Sequence, residues 1–229
     1  MACFATIAIL TLAFLGTAYG AIRGANLGSL FVPEQWMVTF YDGTGQSDLC
    51  SLCAWNREEA NTRILQHFNT WITEDHFKWM ASQGVNSVRV PLGYWNIIQD
   101  PYNLYVPINV QDFINQINRV FDLAAKYQMT VLLDLHGAPG SQNGNDHSGC
   151  ASKGMQWATQ QNRDLTLQTI QRMMELFGKR SNLFGVELLN EPAYELEQNH
   201  HNELLEYYQA AYKIIRRYGD NIAVIFNVL

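Results

Sequence analysis

The sequence lacks any cluster of lysine and arginine, and charged side chains of either sign are scarce. They make up 16% of the 229 residues, and the formal net charge is −6. A nucleic-acid-binding surface needs concentrated positive charge, which this acidic chain does not offer. Hydrophobic residues make up 48%, enough to bury a large core. We therefore expect a globular protein that does not bind nucleic acid.

Long apolar runs are rare as well, and the one at the amino terminus covers residues 1–20. Small residues at Ala18 and Gly20 predict a signal peptide cleaved after Gly20, although no Lys or Arg precedes the run. A transmembrane anchor is the alternative, since the run is barely long enough to span a bilayer. The prediction is an extracellular protein, secreted or cell-wall associated, that meets a membrane only through an uncleaved signal.

Cysteine is scarce, with four copies, of which Cys3 lies in the predicted signal. Cys50 and Cys53 have the C-x-x-C spacing of redox and zinc motifs. No second C-x-x-C accompanies them and no thioredoxin-like pattern surrounds them, so neither function is favoured. A structural disulfide is the better interpretation in a secreted protein. Its pairing among Cys50, Cys53 and Cys150 stays open, as does a partner beyond Leu229.

The sequence has no Gly-x-Gly-x-x-Gly after its first strand, which counts against a dinucleotide-binding sheet. Strand and helix patterns instead alternate, as in parallel sheets with helical crossovers. The predicted strands are Ile22–Leu27, Val85–Val90, Thr130–Leu135, Phe184–Leu189 and Ala223–Asn227. The predicted helices are Thr73–Gln83, Val110–Tyr127, Arg163–Phe177 and Glu203–Tyr218.

Polar residues stand at the ends of these strands, where a (β/α)8 barrel places its active site. They are Asn26, Arg89, His136, Asn190 and Glu191. The predicted class is α/β, the N-terminal part of a (β/α)8 TIM barrel with about five of its eight βα units. The domain assignment is a signal peptide over 1–20 and a C-terminally truncated barrel domain over 21–229.

Four segments carry a family resemblance: Arg23–Gly28, Val88–Trp95, Asp134–Gly144 and Glu187–Pro192. In that order they resemble RGVNLGG, VRIPIGYW, DLHGAPGSQNG and ELLNEP. These are motifs of the family 5 glycoside hydrolases, specifically of the fungal and oomycete exo-β-1,3-glucanases. Asn-Glu-Pro alone is a weak signal, but the four motifs in the family's order are highly specific. The resemblance extends from about Ala21 to the end of the chain.

The resemblance implies four catalytic-site residues. Glu191 would be the acid/base of a retaining glycosidase, and Asn190 would hydrogen-bond the sugar 2-hydroxyl. Arg89, which needs a carboxylate partner if buried, would orient the nucleophile, and His136 would bind sugar. The family's nucleophile lies on the seventh strand, beyond Leu229, so it is not expected in this chain. Glu187 shares a strand with Glu191 and is not assigned as the nucleophile.

The resemblance also implies substrate-binding residues, on weaker motifs. Glu34 aligns with a family glutamate that binds the terminal sugar, although a surface glutamate fits this looser motif equally well. Trp36 and Tyr94 are candidate stacking residues, but a tyrosine in the position of Tyr94 is more often part of the core. Asn145 stands where the family usually has a phenylalanine that clamps the sugar, which weakens the prediction of strict exo-β-1,3 specificity. The loop Gly140–Gly154, after the third strand, is expected to contact substrate.

The predicted function is retaining hydrolysis of β-glucan, with glucan exo-1,3-β-glucosidase as the leading activity. Alternatives are a β-1,4- or β-1,6-glucanase, or a non-catalytic carbohydrate-binding protein if the chain ends at Leu229. No cofactor is expected, because two carboxylates perform the chemistry. No metal is expected either, since His200 and His201 lack a third ligand at suitable spacing. The partner would be a β-glucan oligo- or polysaccharide, and the protein a monomer.

Overall fold

The structure is a computed structural model that describes residues 21–105, 109–193 and 198–227. Five parallel strands form one sheet in the order β1-β2-β3-β4-β5, which is also their order along the chain. They are β1 Gly24–Asn26, β2 Ser87–Gly93, β3 Thr130–Gly137, β4 Leu183–Glu187 and β5 Ala223–Ile225. This arrangement confirms the predicted partial barrel, while the predicted signal peptide lies outside the described residues.

Six helices belong to the described residues: α1 Leu49–Trp55, α2 Arg57–Thr70, α3 Glu74–Ser82, α4 Val110–Lys126, α5 Gln160–Phe177 and α6 Gln198–Arg216. The sequence patterns predicted the last four. Helices α1 and α2 were missed because α1 is short and α2 is mostly polar. Their start signals are local side-chain caps: Asp48 Oδ1 accepts from the Ser51 N–H at 2.6 Å, and Asn56 Oδ1 accepts from the Glu59 N–H at 3.0 Å.

Strand β2 is longer than predicted and passes through Pro91 to Gly93. The predicted end at Val90 was wrong because proline is tolerated where no neighbouring strand needs its N–H. The Leu27 N–H donates to the Arg89 carbonyl at 2.9 Å, so Arg89 turns its backbone polar groups toward β1. Pro91 faces the same side, but β1 has already ended at Asn26. Arg89 therefore lies inside its strand rather than at its tip.

Strands β4 and β5 are shorter than predicted and end at Glu187 and Ile225. The segment after β4 still bonds to the sheet, since the Leu188 N–H donates to the Ile225 carbonyl at 3.0 Å. The Asn190 N–H donates to the Leu135 carbonyl at 2.9 Å. The chain thus leaves regular strand geometry after Glu187 but remains hydrogen-bonded to β3 at Asn190.

The core lies between the sheet and the helices packed against it. Most side chains of β2, β3 and β4 are buried, and Val88, Leu133 and Val186 are fully so. The amphipathic helix α4 buries its apolar face, and Phe121 stacks on Phe177 of α5 with ring centroids 5.4 Å apart. Burial of this apolar area holds the strand ends in register, which in turn fixes the polar residues that follow them.

A disulfide joins Cys50 of α1 to Cys150 in the loop after β3 and closes a sequence separation of 100 residues. This settles the pairing that the sequence left open. Cys53, one turn further along α1, is buried. The bridge ties the loop Gly140–Gly154 to the amino-terminal part of the chain. Among the described residues, no helix has both the length and the apolar character needed to span a membrane.

Candidate active site

Arg89 lies at the centre of a polar group that four neighbouring strands bring together. Its Nε donates to Glu187 Oε2 at 2.7 Å and its Nη2 to Glu187 Oε1 at 3.0 Å. Nη2 also lies 2.9 Å from Asp134 Oδ2 and donates to Asn190 Oδ1 at 2.8 Å. Nη1 donates to Asn26 Oδ1 at 3.2 Å. The two carboxylates are buried, and such charges are stable inside a protein only when they are paired.

Asp134 couples this arginine to His136, two residues further along β3. The same Oδ2 atom that faces Arg89 lies 2.7 Å from His136 Nδ1. Burial raises the pKa of the Asp134 carboxyl, and the adjacent His136 and Arg89 oppose that rise. Burial alone lowers the pKa of His136, but the charge and hydrogen bond of Asp134 outweigh it and raise the pKa above 6.5. Asp134 therefore links Arg89 to His136.

Asn190 is held by both of its backbone groups. Its N–H is bonded to β3, and its carbonyl accepts from Gln142 Nε2 at 2.8 Å. The same Gln142 nitrogen donates to the His136 carbonyl at 2.7 Å. Within the described parts of the chain, the buried Asn190 Nδ2 has no hydrogen-bond partner. This donor can bind a ligand hydroxyl, and an orphaned buried donor is otherwise costly.

Glu191 follows in a backbone conformation that is unusual for a residue with a side chain. Its φ is +42°, a left-handed value that costs a non-glycine residue about 1 kcal/mol. Asn143 Nδ2 donates to the Glu191 carbonyl at 3.0 Å, and the Ala193 N–H donates to the Gln142 carbonyl at 3.0 Å. These bonds from the loop after β3 hold the turn in place. The Glu191 side chain is half exposed, so its carboxyl is accessible from solvent.

The predicted substrate-binding residues differ in their surroundings. Trp36 is 76% exposed, and its Nε1 donates to Glu34 Oε2 at 2.9 Å. The Glu34 charge contributes to the raised pKa of His136, so Glu34 acts on the Arg89 group electrostatically. Asn145 is exposed in the loop after β3, where its N–H donates to Asn143 Oδ1 at 3.0 Å.

Tyr94 does not reach the surface of the site. Its ring is buried, with edge-to-face contacts to Trp95 and Tyr105 at centroid distances of 5.4 and 5.7 Å. Its hydroxyl donates to Asp100 Oδ1 at 2.7 Å. The ring is already covered by aromatic neighbours, so the expectation that Tyr94 stacks on substrate has no support in its surroundings. Among the described residues, no group of three or more metal-ligating side chains occurs.

Sequence reasoning assigned no role to three residues of the site: Asp134 and Glu187 of the Arg89 group, and His147 beside Glu191. Asp134 and Glu187 interrupt otherwise apolar strands and are paired across the β3–β4 register. A carboxylate inside a buried strand needs a cation, so this interruption was the signal that could have linked both to Arg89. His147 Nε2 lies 3.1 Å from Glu191 Oε2. No sequence signal placed His147 there, because its position depends on how the loop folds.

The fold is that of a β/α-barrel protein with a polar group at the carboxyl edge of its sheet. The Cellulase model, glycosyl hydrolase family 5, matches residues 53–227. The chain therefore belongs to this family. It is also similar to the rutinosidase from Aspergillus niger, with a TM-score of 0.79 and 23% identity over 90% of this chain and 62% of that one. At that identity the likeness supports the fold alone.

Curated relatives carry more specific names. The chain is 40% identical to the "Glucan 1,3-beta-glucosidase" of Blumeria graminis over 179 residues, which cover 75% of this chain and 41% of that protein. It is 35% identical to the protein of the same name from Pichia angusta over 215 residues, 89% of this chain and 47% of that protein. The chain thus spans about half the length of the curated relatives that it matches.

Proposed function

We propose that the protein is a retaining glycoside hydrolase that releases glucose from β-1,3-glucan. One observation carries the proposal: Glu191 stands beside the network of Arg89, Asp134, His136 and Asn190, at the carboxyl edge of a parallel β/α sheet. Barrel enzymes bind substrate at that edge. The names of the curated relatives support the β-1,3-glucan substrate.

In this mechanism Glu191 is the acid/base. It protonates the glycosidic oxygen as the bond to the leaving sugar breaks, and it then takes a proton from the water that hydrolyses the glycosyl-enzyme. The half-exposed carboxyl suits both steps, because a leaving sugar and a water must reach it in turn. The buried Asn190 Nδ2 supplies a donor for the sugar 2-hydroxyl, a contact that strengthens in the oxocarbenium-like transition state.

A retaining enzyme also needs a nucleophilic carboxylate about 5–5.5 Å from the acid/base. Asp134 and Glu187 are the carboxylates in contact with Arg89, but each is buried and salt-bridged. Neither is free to attack an anomeric carbon. We assign the nucleophile to neither of them, and the chain spans about half the length of the relatives that it matches. Arg89 would orient that nucleophile and hold it ionised.

The remaining residues of the site bind sugar. His136 is fixed by Asp134 and offers its second ring nitrogen to a hydroxyl. Glu34 and the exposed Trp36 form a second polar and aromatic pair, with an indole face available for stacking on a pyranose. No cofactor or metal enters this chemistry. We place the protein outside the cell as a monomer, and the Cys50–Cys150 disulfide fits an oxidising compartment.

Product analysis tests the proposal. The protein is made from the complete reading frame that contains this chain and is incubated with laminarin, a β-1,3-glucan. Proton NMR then follows the first product. We expect β-glucose to appear before it mutarotates, as exo-acting retention requires, with slower release from β-1,4- and β-1,6-glucans. Initial α-glucose would refute retention, and preferential cleavage of a β-1,4- or β-1,6-glucan would establish the alternative glucanase activity.

The second candidate is a carbohydrate-binding protein without catalysis. Among the described residues, the two carboxylates that contact Arg89 are buried and salt-bridged, which favours this candidate for the chain taken alone. We expect the purified 229-residue chain to hydrolyse no laminarin. Affinity electrophoresis in laminarin-containing gels reports whether it still binds. Turnover by the 229-residue chain, lost on substitution Glu191→Gln, would show that its nucleophile lies within the chain.

A further inference from the structure

The loop after β3 brings one histidine to the acid/base carboxyl. His147 Nε2 lies 3.1 Å from Glu191 Oε2, and the Glu191 side chain is half exposed. The His147 ring also lies beside His136, with centroids 5.5 Å apart. Only 17% of the His147 side chain is exposed. This contact is separate from the Arg89 network, which touches Asn190 but holds neither oxygen of Glu191 through a direct hydrogen bond.

The loop holds His147 in a defined place. Residues Asp146–Ser148 form a 3-10 turn, and Ser148 Oγ donates to the Asn145 carbonyl at 2.9 Å. Ser141 Oγ and Ser148 Oγ lie 2.5 Å apart. Two residues after the turn, Cys150 enters the disulfide with Cys50. These contacts hold the loop on both sides of His147, so little backbone entropy is lost when the residue binds a partner.

Two groups compete for His147 Nε2: the side-chain amide of Asn143 and the carboxyl of Glu191. Asn143 Oδ1 accepts from the Asn145 N–H, and its Nδ2 donates to the Glu191 carbonyl. These two bonds fix the orientation of the amide. The same Nδ2 lies 3.1 Å from His147 Nε2, and a bare Nε2 would accept from it. A protonated Nε2 instead donates to Glu191 Oε2. The tautomer of His147 thus selects which of its two neighbours it binds.

We propose that His147 is a positioning residue for the acid/base. Its Nε2–H donates to Glu191 Oε2 and holds the carboxyl in one rotamer, which leaves Oε1 to exchange the proton with the glycosidic oxygen. Positioning of this kind counts in catalysis, because a misplaced proton donor loses much of its effect. The inference rests on the proposed role of Glu191 and adds a residue that the family motifs do not include.

The test uses two substrates in the protein made from the complete reading frame. A β-1,3-linked glucose trimer has a poor leaving group that needs the acid, whereas 2,4-dinitrophenyl β-glucoside does not. For His147→Ala we expect kcat/KM on the trimer to fall about 10- to 100-fold, a part of what a general acid supplies. On the dinitrophenyl glucoside, kcat/KM should stay within about twofold. The conservative variant His147→Gln, which keeps a side-chain N–H, should remain close to the parent on both.

Glu206→Gln, at an exposed position of α6 away from the loop, is the control and should leave both values unchanged. Equal losses on the two substrates in His147→Ala would indicate a structural or binding role and overturn the proposal. No loss on the trimer, or no rescue by glutamine, would also overturn it. Glu191→Gln, measured in parallel, separates the role of His147 from that of Glu191. If the loss in Glu191→Gln does not depend on the leaving group, the acid/base role of Glu191 itself is refuted.

Discussion

Arg89 and Glu187 are bound through two parallel contacts across the sheet. Nε and Nη2 of the arginine lie 2.7 and 3.0 Å from the two carboxylate oxygens. The two residues belong to β2 and β4, which β3 separates. Two-point binding fixes the plane of the guanidinium as well as its position. Glu187 therefore holds Arg89 in place, and its charge pairs with the arginine and takes no part in catalysis.

Removal of the Glu187 charge tests this supporting role. In Glu187→Gln the buried side of Arg89 keeps Asp134 and Asn190 but loses its two-point partner. We expect the free energy of unfolding to fall by about 2 kcal/mol, less than the loss of an entire buried pair because Arg89 retains one carboxylate. Urea unfolding followed by tryptophan fluorescence measures the change.

The control for this experiment is Glu175→Gln, which breaks an exposed pair with Arg172 on α5. An exposed ion pair adds little to stability, since solvent screens it, so this variant should unfold like the parent. Equal midpoints for Glu187→Gln and Glu175→Gln would contradict a supporting role for Glu187.

The His136–Asp134 pair makes a pH-dependent contribution to stability. The pKa of His136 is raised above 6.5 in the folded protein, so the folded state binds this proton more tightly than the unfolded state does. The contribution is fully present below 6.5 and is lost as the pH rises through the folded pKa. As the pH rises from about 6 to about 9, the free energy of unfolding should therefore fall less in His136→Gln than in the parent.

Urea midpoints at the two pH values check this prediction, and the comparison between variant and parent is essential. Burial lowers the pKa of His67, despite its bond to the Ser29 carbonyl, so His67 contributes the opposite slope in both proteins. The difference between the two slopes isolates His136. A parent and a His136→Gln variant with the same pH dependence would show that Asp134 does not hold His136 protonated.

The Cys50–Cys150 bridge should account for a large share of the stability. It closes a loop with a sequence separation of 100 residues, and loss of a bridge of that span costs about 2–5 kcal/mol. We expect the free energy of unfolding of the double variant Cys50→Ala, Cys150→Ala to be lower by that amount, and its urea midpoint to fall accordingly. Dithiothreitol should lower the parent's midpoint and leave the double variant unaffected. An unchanged urea midpoint of the parent in dithiothreitol would contradict the presence of the disulfide.

Much of the fold could be predicted from the sequence, because periodic patterns report directly on buried faces. The strands β1 to β5 and the helices α3 to α6 were located with small boundary errors. Helices α1 and α2 were missed, since α1 is short and α2 is mostly polar. The end of β2 was misplaced at Pro91, because only the sheet reveals that β1 stops short of it.

The site was predictable only in part. Motifs gave Arg89, His136, Asn190 and Glu191, and the strand order brings the first three together. The pairing of Arg89 with Glu187 joins residues 98 positions apart, and no local pattern encodes such a contact. Burial of Tyr94 likewise depends on distant rings packing around it.

The most direct test of the account is the leaving-group dependence of Glu191→Gln in the protein made from the complete reading frame. We expect kcat/KM on a β-1,3-linked glucose trimer to fall at least about 100-fold, as loss of a general acid requires. On 2,4-dinitrophenyl β-glucoside, kcat/KM should stay within about threefold, and azide should restore turnover of that substrate by replacing the water that needs the base. Glu206→Gln, exposed on α6, is the matched control and should behave like the parent. Near-parental hydrolysis of the trimer by Glu191→Gln would contradict the assignment of Glu191 as the acid/base.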